Sequence, residues 1–179
     1  MIQIIKTDDL SIVWLAAPSS RALLCRAISQ IVGSDITISA ASSGKPFIKG
    51  CSSWFISLSH ISIGDLLMVS KTNCGVDVVV YNPSEPFDYS TLARDFYEIE
   101  ERRWVLADSR RALRLWAAKE AIGKLNGTGI VGCMPHILIE QDSLYYYLNG
   151  RKLKIHELEF MHIDTKILLA FVFVPKFVA

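Results

Sequence analysis

The segment LRLWAAKEAIGK, residues 113–124, combines a helical pattern with two charged residues that could do chemistry. At about 100° per residue, Glu120 lies on the face of Trp116 and Ala117, and Lys124 follows one turn later on the same side. One interpretation is an ordinary ion pair between Glu120 and Lys124, which contributes only about a few tenths of a kcal/mol. However, a carboxylate on an apolar face needs a cation, because burying it unpaired is costly. The sequence leaves two cations open, the Lys124 ammonium or a metal ion.

A second acid stands in the apolar segment CGVDVVVY, residues 74–81. Strand alternation places Asp77 on one face of this strand and Val76 and Val78 on the other. If Asp77 and Glu120 meet in the fold, they repel each other unless a hard cation such as Mg²⁺ lies between them, and Mg²⁺ prefers oxygen ligands. The alternative is an acid that accepts backbone hydrogen bonds at a turn.

Two further short segments carry polar groups where strands end or turn. Ser59 and His60 end the strand FISLSH, and Lys45 and Pro46 lie in the turn segment SSGKPFIKG. Loops and strand ends often carry functional residues, but a single histidine or loop lysine is more often structural or solvated. No Asp or Cys lies at a spacing that predicts a serine or cysteine hydrolase.

The segment DFYEIEERRW, residues 95–104, is rich in charge. Its aromatic and aliphatic residues are predicted to be core, and a solvated face is predicted for Glu98, Glu100, Glu101, Arg102 and Arg103. A local basic region is formed by Arg102, Arg103, Arg110, Arg111 and Arg114. This region could steer an acidic partner, or it could equally be a solvated helix end.

Periodicity and turn residues predict an α+β protein built from two similar halves. A buried strand over residues 11–17 and a helix after it begin the first half, and further strands follow. Residues 88–126 have helical periodicity, and strands return after that segment. We therefore expect an N-terminal half over residues 1–79 and a C-terminal half over residues 80–179.

The composition is that of a globular protein and excludes several function classes. Of 179 residues, 51% are hydrophobic and 21% are charged, and the formal net charge of +1 predicts no general attraction to nucleic acid or anionic membranes. The four cysteines include no CxxC pair, which argues against a zinc site and a disulfide framework. No apolar run approaches the roughly 20 residues of a membrane span, and the first residues do not resemble a secretion signal. We expect a cytoplasmic protein.

The order of these segments resembles the 4′-phosphopantetheinyl transferases of the surfactin-synthetase-activating type. The family pattern runs GKP, SLSH, GVD, F-x-x-x-E and W-x-x-KE-x-x-x-K. In this chain the elements are residues 44–46, 57–60, 75–77, 96–100 and 116–124. The last motif joined to the upstream GVD is the most specific part of the resemblance.

The resemblance implies an enzyme that moves the 4′-phosphopantetheine arm of coenzyme A to a serine of an apo acyl, peptidyl or aryl carrier protein. Adenosine 3′,5′-bisphosphate would leave, and Mg²⁺ would be the cofactor. The implied fold has two similar α+β halves related by pseudo-two-fold symmetry, with coenzyme A in the cleft between them. We expect such a compact chain to act as a monomer.

The same resemblance implies roles for individual residues. Asp77 and Glu120 would ligate Mg²⁺ on the diphosphate of coenzyme A, and Lys124 would contact that diphosphate. Glu120, directly or through a water, is the implied base for the carrier serine. Glu100, in the F-x-x-x-E element, would have an orienting role.

Other residues would bind the nucleotide end of coenzyme A. His60, next to Ser59, would donate to a phosphate, and Lys45 with Pro46 would border the adenine nucleotide. Arg21, at the start of the first helix, is a weaker candidate for the 3′-phosphate.

One position departs from the family pattern, which commonly reads D-x-E after the glycine. Here the residues are Asp77, Val78 and Val79, and Val79 cannot bind a metal although it shares a strand face with Asp77. A water could fill that position, because Mg²⁺ keeps several waters in protein sites. Alternatively, the chain is a catalytically weak or inactive module that binds coenzyme A or a carrier protein. The presence of Asp77, Glu120 and Lys124 together favours an active enzyme.

Overall fold

A computed structural model of the chain describes residues 2–16, 19–85, 88–106, 108–129, 135–163 and 166–173. Within these ranges the chain forms four α-helices and twelve β-strands, and all strand pairs are antiparallel. The predicted mixture of helices and strands is therefore confirmed.

The N-terminal part is a sheet with one helix packed on it. Its elements are β1 (Ile2–Lys6), β2 (Leu10–Ala16), α1 (Arg21–Val32), β3 (Ile38–Ala40), β4 (Pro46–Ile48), β5 (Phe55–Ile61) and β6 (Gly64–Ser70). The six strands form one sheet in the order β1-β2-β6-β5-β4-β3. Ser20 caps α1 by accepting a hydrogen bond from the Leu23 N–H, and Ala27 and Ile28 pack the helix on the sheet.

The C-terminal part contains three helices and two small sheets. Its elements are β7 (Gly75–Tyr81), α2 (Ser90–Phe96), α3 (Ile99–Val105), α4 (Ser109–Asn126), β8 (Leu138–Glu140), β9 (Ser143–Leu148), β10 (Arg151–Lys154), β11 (His156–Ile163) and β12 (Lys166–Phe173). The sheets have the orders β11-β12-β7 and β10-β9-β8. Buried residues of α4 share one hydrophobic cluster with Leu169 and Phe171 of β12 and Leu144 of β9, so α4 is the central element of this part.

The two parts meet along β5 and β7, which contact each other without belonging to one sheet. The hydroxyls of Ser57 and Ser59 on β5 accept hydrogen bonds from the N–H groups of Val76 (3.0 Å) and Val78 (3.3 Å) on β7. Because β12 pairs with the other edge of β7, these serines satisfy donors that the sheet leaves open. Side-chain hydroxyls thus join the two parts directly beside Asp77.

The predicted boundary between residues 79 and 80 lies inside β7, all of which pairs with β12. We propose placing the boundary at residues 71–74, between β6 and β7. The strand orders β2-β6-β5 and β7-β12-β11 correspond. In the first, β5 and β6 are consecutive antiparallel strands and β2 pairs with β6; in the second, β11 and β12 are consecutive antiparallel strands and β7 pairs with β12. This correspondence agrees with the predicted similarity of the halves, while the symmetry itself stays a prediction.

Two predictions from composition can be compared with the structure. Cys25, Cys51 and Cys74 are free thiols, whereas Cys133 lies outside the described residues. Burial raises the pKa of the Cys74 thiol to about 12, which makes it a poor nucleophile. Among the described helices, none is both long and apolar enough to cross a bilayer.

Gly75 allows α4 to lie directly on β7. A Cβ at this position would lie 1.9 Å from the carbonyl oxygen of Ala121 and 2.8 Å from the backbone nitrogen of Leu125. Both atoms belong to the α4 backbone, which a side-chain rotation cannot move away. The glycine therefore sets the distance between the strand that carries Asp77 and the helix that carries Glu120.

We expect Gly75→Ala to destabilise the fold by about 3 kcal/mol, because overpacking forces the backbone to shift. Urea denaturation measures this loss. Gly123→Ala is the graded comparison, since its Cβ would approach the Gly129 carbonyl oxygen only to 2.8 Å, and its loss should be smaller. A Gly75→Ala variant as stable as the wild type would contradict the close packing of α4 on β7.

Candidate active site

A crevice of about 300 Å³ lies between the N-terminal and C-terminal parts. Its N-terminal wall consists of residues 43–46, at the turn into β4, and residues 56–58 of β5. Its C-terminal wall consists of Glu120, Gly123, Lys124, Gly127 and Gly129, on α4 and just after it. The predicted cleft between the halves is therefore present, and two of the predicted site segments, GKP and KE-x-x-x-K, face each other across it.

Asp77 and Lys124 form a short ion pair beside this crevice. The Lys124 Nζ lies 2.6 Å from Asp77 Oδ1, with side-chain exposures of 26% and 10%. The Ser59 hydroxyl donates to the same oxygen at 2.6 Å. Asp77 thus receives side-chain hydrogen bonds from β5 and from α4, which fix its position where the two parts meet.

Glu120 is the half-buried acid of this site. Burial, and then the negative charge of Asp77, raise the pKa of the Glu120 carboxyl, and the nearby Lys124 ammonium opposes this rise. The Glu120 side chain makes no hydrogen bond or ion pair with any described residue, so the i, i+4 ion pair with Lys124 that the sequence left open is wrong. The lysine instead pairs with the acid on β7, because that carboxylate comes within hydrogen-bonding distance of its ammonium.

Lys45 has a structural partner of its own. Its Nζ donates to the carbonyl of Leu125 at 2.6 Å and to Asn73 Oδ1 at 2.5 Å, and the Asn73 amide donates to the same carbonyl. A cation at a helix C-terminus is favourable because the last carbonyls carry partial negative charge. Lys45 therefore fastens the GKP turn to the end of α4, and Pro46 lines the crevice next to it.

His60 and Arg21 lie outside the crevice. His60 is exposed and lines a neighbouring cavity with residues of β5 and with Asp65 of β6 and Ser19, which precedes α1. Leu58 lines both cavities. Arg21 is exposed and its guanidinium donates to the carbonyl of Ile38. Their assignment to coenzyme A phosphates stays a prediction.

A buried ion pair holds α4 against α3, and sequence reasoning missed it. Lys119, fully buried, lies 2.9 Å from Glu101 Oε1 and donates to the carbonyl of Pro135 at 2.6 Å. The prediction that Glu101 lies on a solvated face is therefore wrong. Glu100, the predicted orienting residue, is exposed and its side chain has no partner among the described residues, so its orienting role stays a prediction.

Three of the five arginines in the predicted basic region pair with acids, and Arg102 donates to backbone carbonyls instead. Arg114, with 13% side-chain exposure, pairs with Glu157 at 2.7 Å and with Asp142 at 2.8 Å. Arg110 and Arg111 also have carboxylate partners within 4.0 Å. These three arginines therefore stabilise the contact of α4 with β11 and with the turn between β8 and β9, and steering of an acidic partner by the basic region stays a prediction.

The donor set limits what the site can hold. Within the described ranges no cluster of three or more His, Cys, Asp or Glu side chains could hold a metal ion, in agreement with valine at position 79. Two carboxylates remain, Asp77 and Glu120. A set of one or two carboxylates is nevertheless typical of Mg²⁺ sites that also use water and substrate phosphates.

The family model described as the 4′-phosphopantetheinyl transferase superfamily matches residues 73–165, just over half of the chain. The chain belongs to this superfamily. The match extends from the loop before β7 past the end of β11, so it includes Asp77, Glu120 and Lys124. A search of the curated proteins found no match.

Membership in the superfamily supports a phosphopantetheinyl transferase type of function. The superfamily in general acts on coenzyme A and carrier proteins and uses a divalent metal. The surfactin-synthetase-activating subtype, the monomeric state and the cytoplasmic location stay predictions.

Proposed function

We propose that this protein transfers the 4′-phosphopantetheine arm of coenzyme A to a serine of an apo carrier protein, with Mg²⁺ as cofactor. The observation that carries the proposal is the convergence at one crevice of Asp77 from β7 with Glu120 and Lys124 from α4. The superfamily match covers all three residues. The GKP turn on the opposite wall supplies a boundary for the nucleotide end of the substrate.

The residues present fit a hard divalent cation. The Glu120 side chain has no hydrogen-bond or ion-pair partner among the described residues, and burial and then the negative charge of Asp77 raise its pKa, so a cation between the two acids would relieve their repulsion. Both Asp77 hydrogen bonds go to Oδ1, which leaves Oδ2 as a further acceptor. Asp77 and Glu120 would hold the ion, and when bound it would neutralise charge on the diphosphate oxygens.

The side chains of this crevice suggest how the transfer proceeds. Lys124 places a positive charge beside the diphosphate, where charge accumulates as the bond to the leaving phosphate breaks. The carrier serine oxygen bonds to the phosphorus that bears the pantetheine arm, and adenosine 3′,5′-bisphosphate leaves with the bridging oxygen. Glu120 accepts the serine proton, directly or through a water.

The proposal also assigns supporting contacts. Ser59 orients Asp77 through its hydroxyl, and Lys45 holds the GKP turn at the end of α4. His60 and Arg21 would contact phosphates of coenzyme A that extend beyond the crevice. We further propose that the corresponding orders β2-β6-β5 and β7-β12-β11 reflect pseudo-two-fold symmetry between the halves.

A carrier-protein assay tests this function. The protein is incubated with coenzyme A, Mg²⁺ and separate apo acyl, peptidyl and aryl carrier proteins, and intact masses are recorded. We expect one class of carrier to gain the mass of a single phosphopantetheine arm, and chelation of Mg²⁺ to prevent the gain. A panel that an established transferase modifies, but that this protein leaves unchanged, would contradict the proposal.

Val79 favours a second candidate, a module that binds coenzyme A or a carrier protein without catalysis. Without the third acid, such a module would take coenzyme A with an affinity that barely depends on Mg²⁺. Calorimetry of coenzyme A binding with Mg²⁺ and with a chelator separates the two candidates. An enzyme of the proposed type should show a clear Mg²⁺ dependence.

A further inference from the structure

We infer that Lys124 is an internal counter-cation that occupies Asp77 until a diphosphate binds, so that metal and diphosphate load the site together. The inference rests on the proposed function, since it takes the crevice to be the place where a diphosphate and a divalent cation meet. It concerns how the site is loaded, which family membership does not determine.

Lys124 is already in direct contact with Asp77. The Lys124 Nζ lies 2.6 Å from Asp77 Oδ1, and that oxygen also accepts the Ser59 hydroxyl at 2.6 Å. With 10% of its side chain exposed, Asp77 has little water around it to weaken the attraction. A metal ion that approaches Asp77 therefore meets an ammonium already bound to Oδ1, whose positive charge opposes the metal at the other carboxylate oxygen.

The side chains of the site carry too little negative charge to balance a divalent cation. Where the family pattern has a third acid, this chain has Val79, which packs against the α4 hydrophobic cluster. Asp77 and Glu120 together carry two negative charges, and Lys124 cancels one of them. A divalent cation entering this site would leave a net positive charge, whereas a site with a third carboxylate would stay neutral.

The Lys124 ammonium can bind the diphosphate instead of Asp77 once the substrate is present. Asp77 is the only hydrogen-bond partner of the Lys124 ammonium within the described residues, and this side chain is 26% exposed and lines the crevice. Lysine has a flexible four-carbon stem, so its ammonium can turn from Asp77 to a diphosphate in the same crevice. Asp77 is then free for the metal, and the added phosphate charge offsets that of the two cations.

The coupling must act in both directions. If a diphosphate raises the affinity for the metal, the metal raises the affinity for the diphosphate by the same factor. Measuring metal affinity in the substrate-free protein isolates the effect of Lys124, because no phosphate is present to bind the metal itself. Lys124→Met keeps most of the stem and removes the charge that competes at Asp77.

The test measures Mn²⁺ binding to the substrate-free protein by electron paramagnetic resonance of the free ion. We expect Lys124→Met to bind Mn²⁺ about tenfold more tightly than the wild type, a factor typical of such couplings. Lys124→Arg keeps the charge and should bind Mn²⁺ as weakly as the wild type. Lys45→Met removes a lysine from the same crevice that pairs with Asn73 and a carbonyl rather than an acid, so its gain should be much smaller.

Equal or weaker Mn²⁺ binding by Lys124→Met overturns the inference, as does an equal gain in Lys45→Met. Circular dichroism spectra confirm that each variant is folded before binding is compared. The carrier-protein assay on the wild type keeps the two proposals apart. If the wild type modifies a carrier but Lys124→Met gains no Mn²⁺ affinity, the counter-cation role is excluded and the transferase function stands.

Discussion

Glu120→Gln is expected to lower the rate of phosphopantetheine transfer by at least about a hundredfold, the usual contribution of a general base. Glutamine has nearly the same size as glutamate but cannot accept a proton at neutral pH or carry charge toward a metal. The rate is measured as the gain of carrier mass with time at saturating coenzyme A. A variant with the wild-type rate would exclude Glu120 from the chemistry.

The same substitution should make the protein more stable at neutral pH. Burial and the charge of Asp77 raise the pKa of Glu120 above its ordinary value of 4.5. The folded protein therefore favours the neutral Glu120 carboxyl. The contribution of this group to the free energy of unfolding is fully present below its ordinary pKa and is lost as the pH rises through its folded-state pKa. Glutamine does not ionise, so the variant should have the higher Tm at pH 8 in metal-free buffer, and the difference should shrink toward pH 4.

Glu85→Gln is the matched control for this prediction. Glu85 is exposed and its side chain has no partner among the described residues, so neither the transfer rate nor the Tm should change appreciably. A Glu120→Gln variant that melts below the wild type at pH 8 would show that the acid supports the fold. Loss of activity with a gain of stability is the pattern of a residue kept for function.

Local sequence patterns were sufficient for most elements. The helix that follows the first buried strand, and the apolar run that contains Asp77, depend on residues close in sequence. The triad of Asp77, Glu120 and Lys124 was identified from the order of its motifs. Strand β1 was missed because its five residues have no clear polar alternation.

The pairing of side chains between distant segments could not be predicted. Lys124 bonds to Asp77, 47 positions away, and Lys45 bonds to the Leu125 carbonyl, 80 positions away. Helical spacing brings Glu120 and Lys124 together on one side, but only the packing of α4 on Gly75 decides which carboxylate the ammonium reaches. The hydroxyls that join β5 to β7 likewise depend on how two separate sheets meet.

The sequence pattern around Lys119 indicates that this lysine is buried. It lies on the stripe of Leu115, Ala118 and Ile122, at the i, i+3, i+4 and i+7 positions of a buried helix face, and all three neighbours are buried. A lysine on such a stripe requires a buried acid. Glu101, in the charged segment that was predicted to be solvated, is that acid.

Lys119→Met is expected to destabilise the fold by about 3 to 5 kcal/mol, since removing one partner of a buried ion pair leaves the other charge uncompensated. Methionine fills a similar volume, so the loss comes from the charge rather than from a cavity. Glu101 would keep its hydrogen bonds from the N–H groups of Glu98 (2.8 Å) and Ile137 (2.9 Å), with the His136 ring Nδ1 4.0 Å from its Oε1. Urea denaturation at pH 7 measures the free energy of unfolding.

A double-mutant cycle with Glu101→Gln separates the ion pair from the packing of the two helices. If the charges compensate each other, Lys119→Met combined with Glu101→Gln should lose much less stability than the sum of the single variants. Lys152→Met is the control, because the ion pair of Lys152 with Glu140 is exposed and water screens it, so its removal should have little effect. Additive losses in the cycle would contradict the ion pair. Coupled losses would show that α4, which presents Glu120 and Lys124 to the crevice, is held in place by a charge pair buried one residue away from the proposed base.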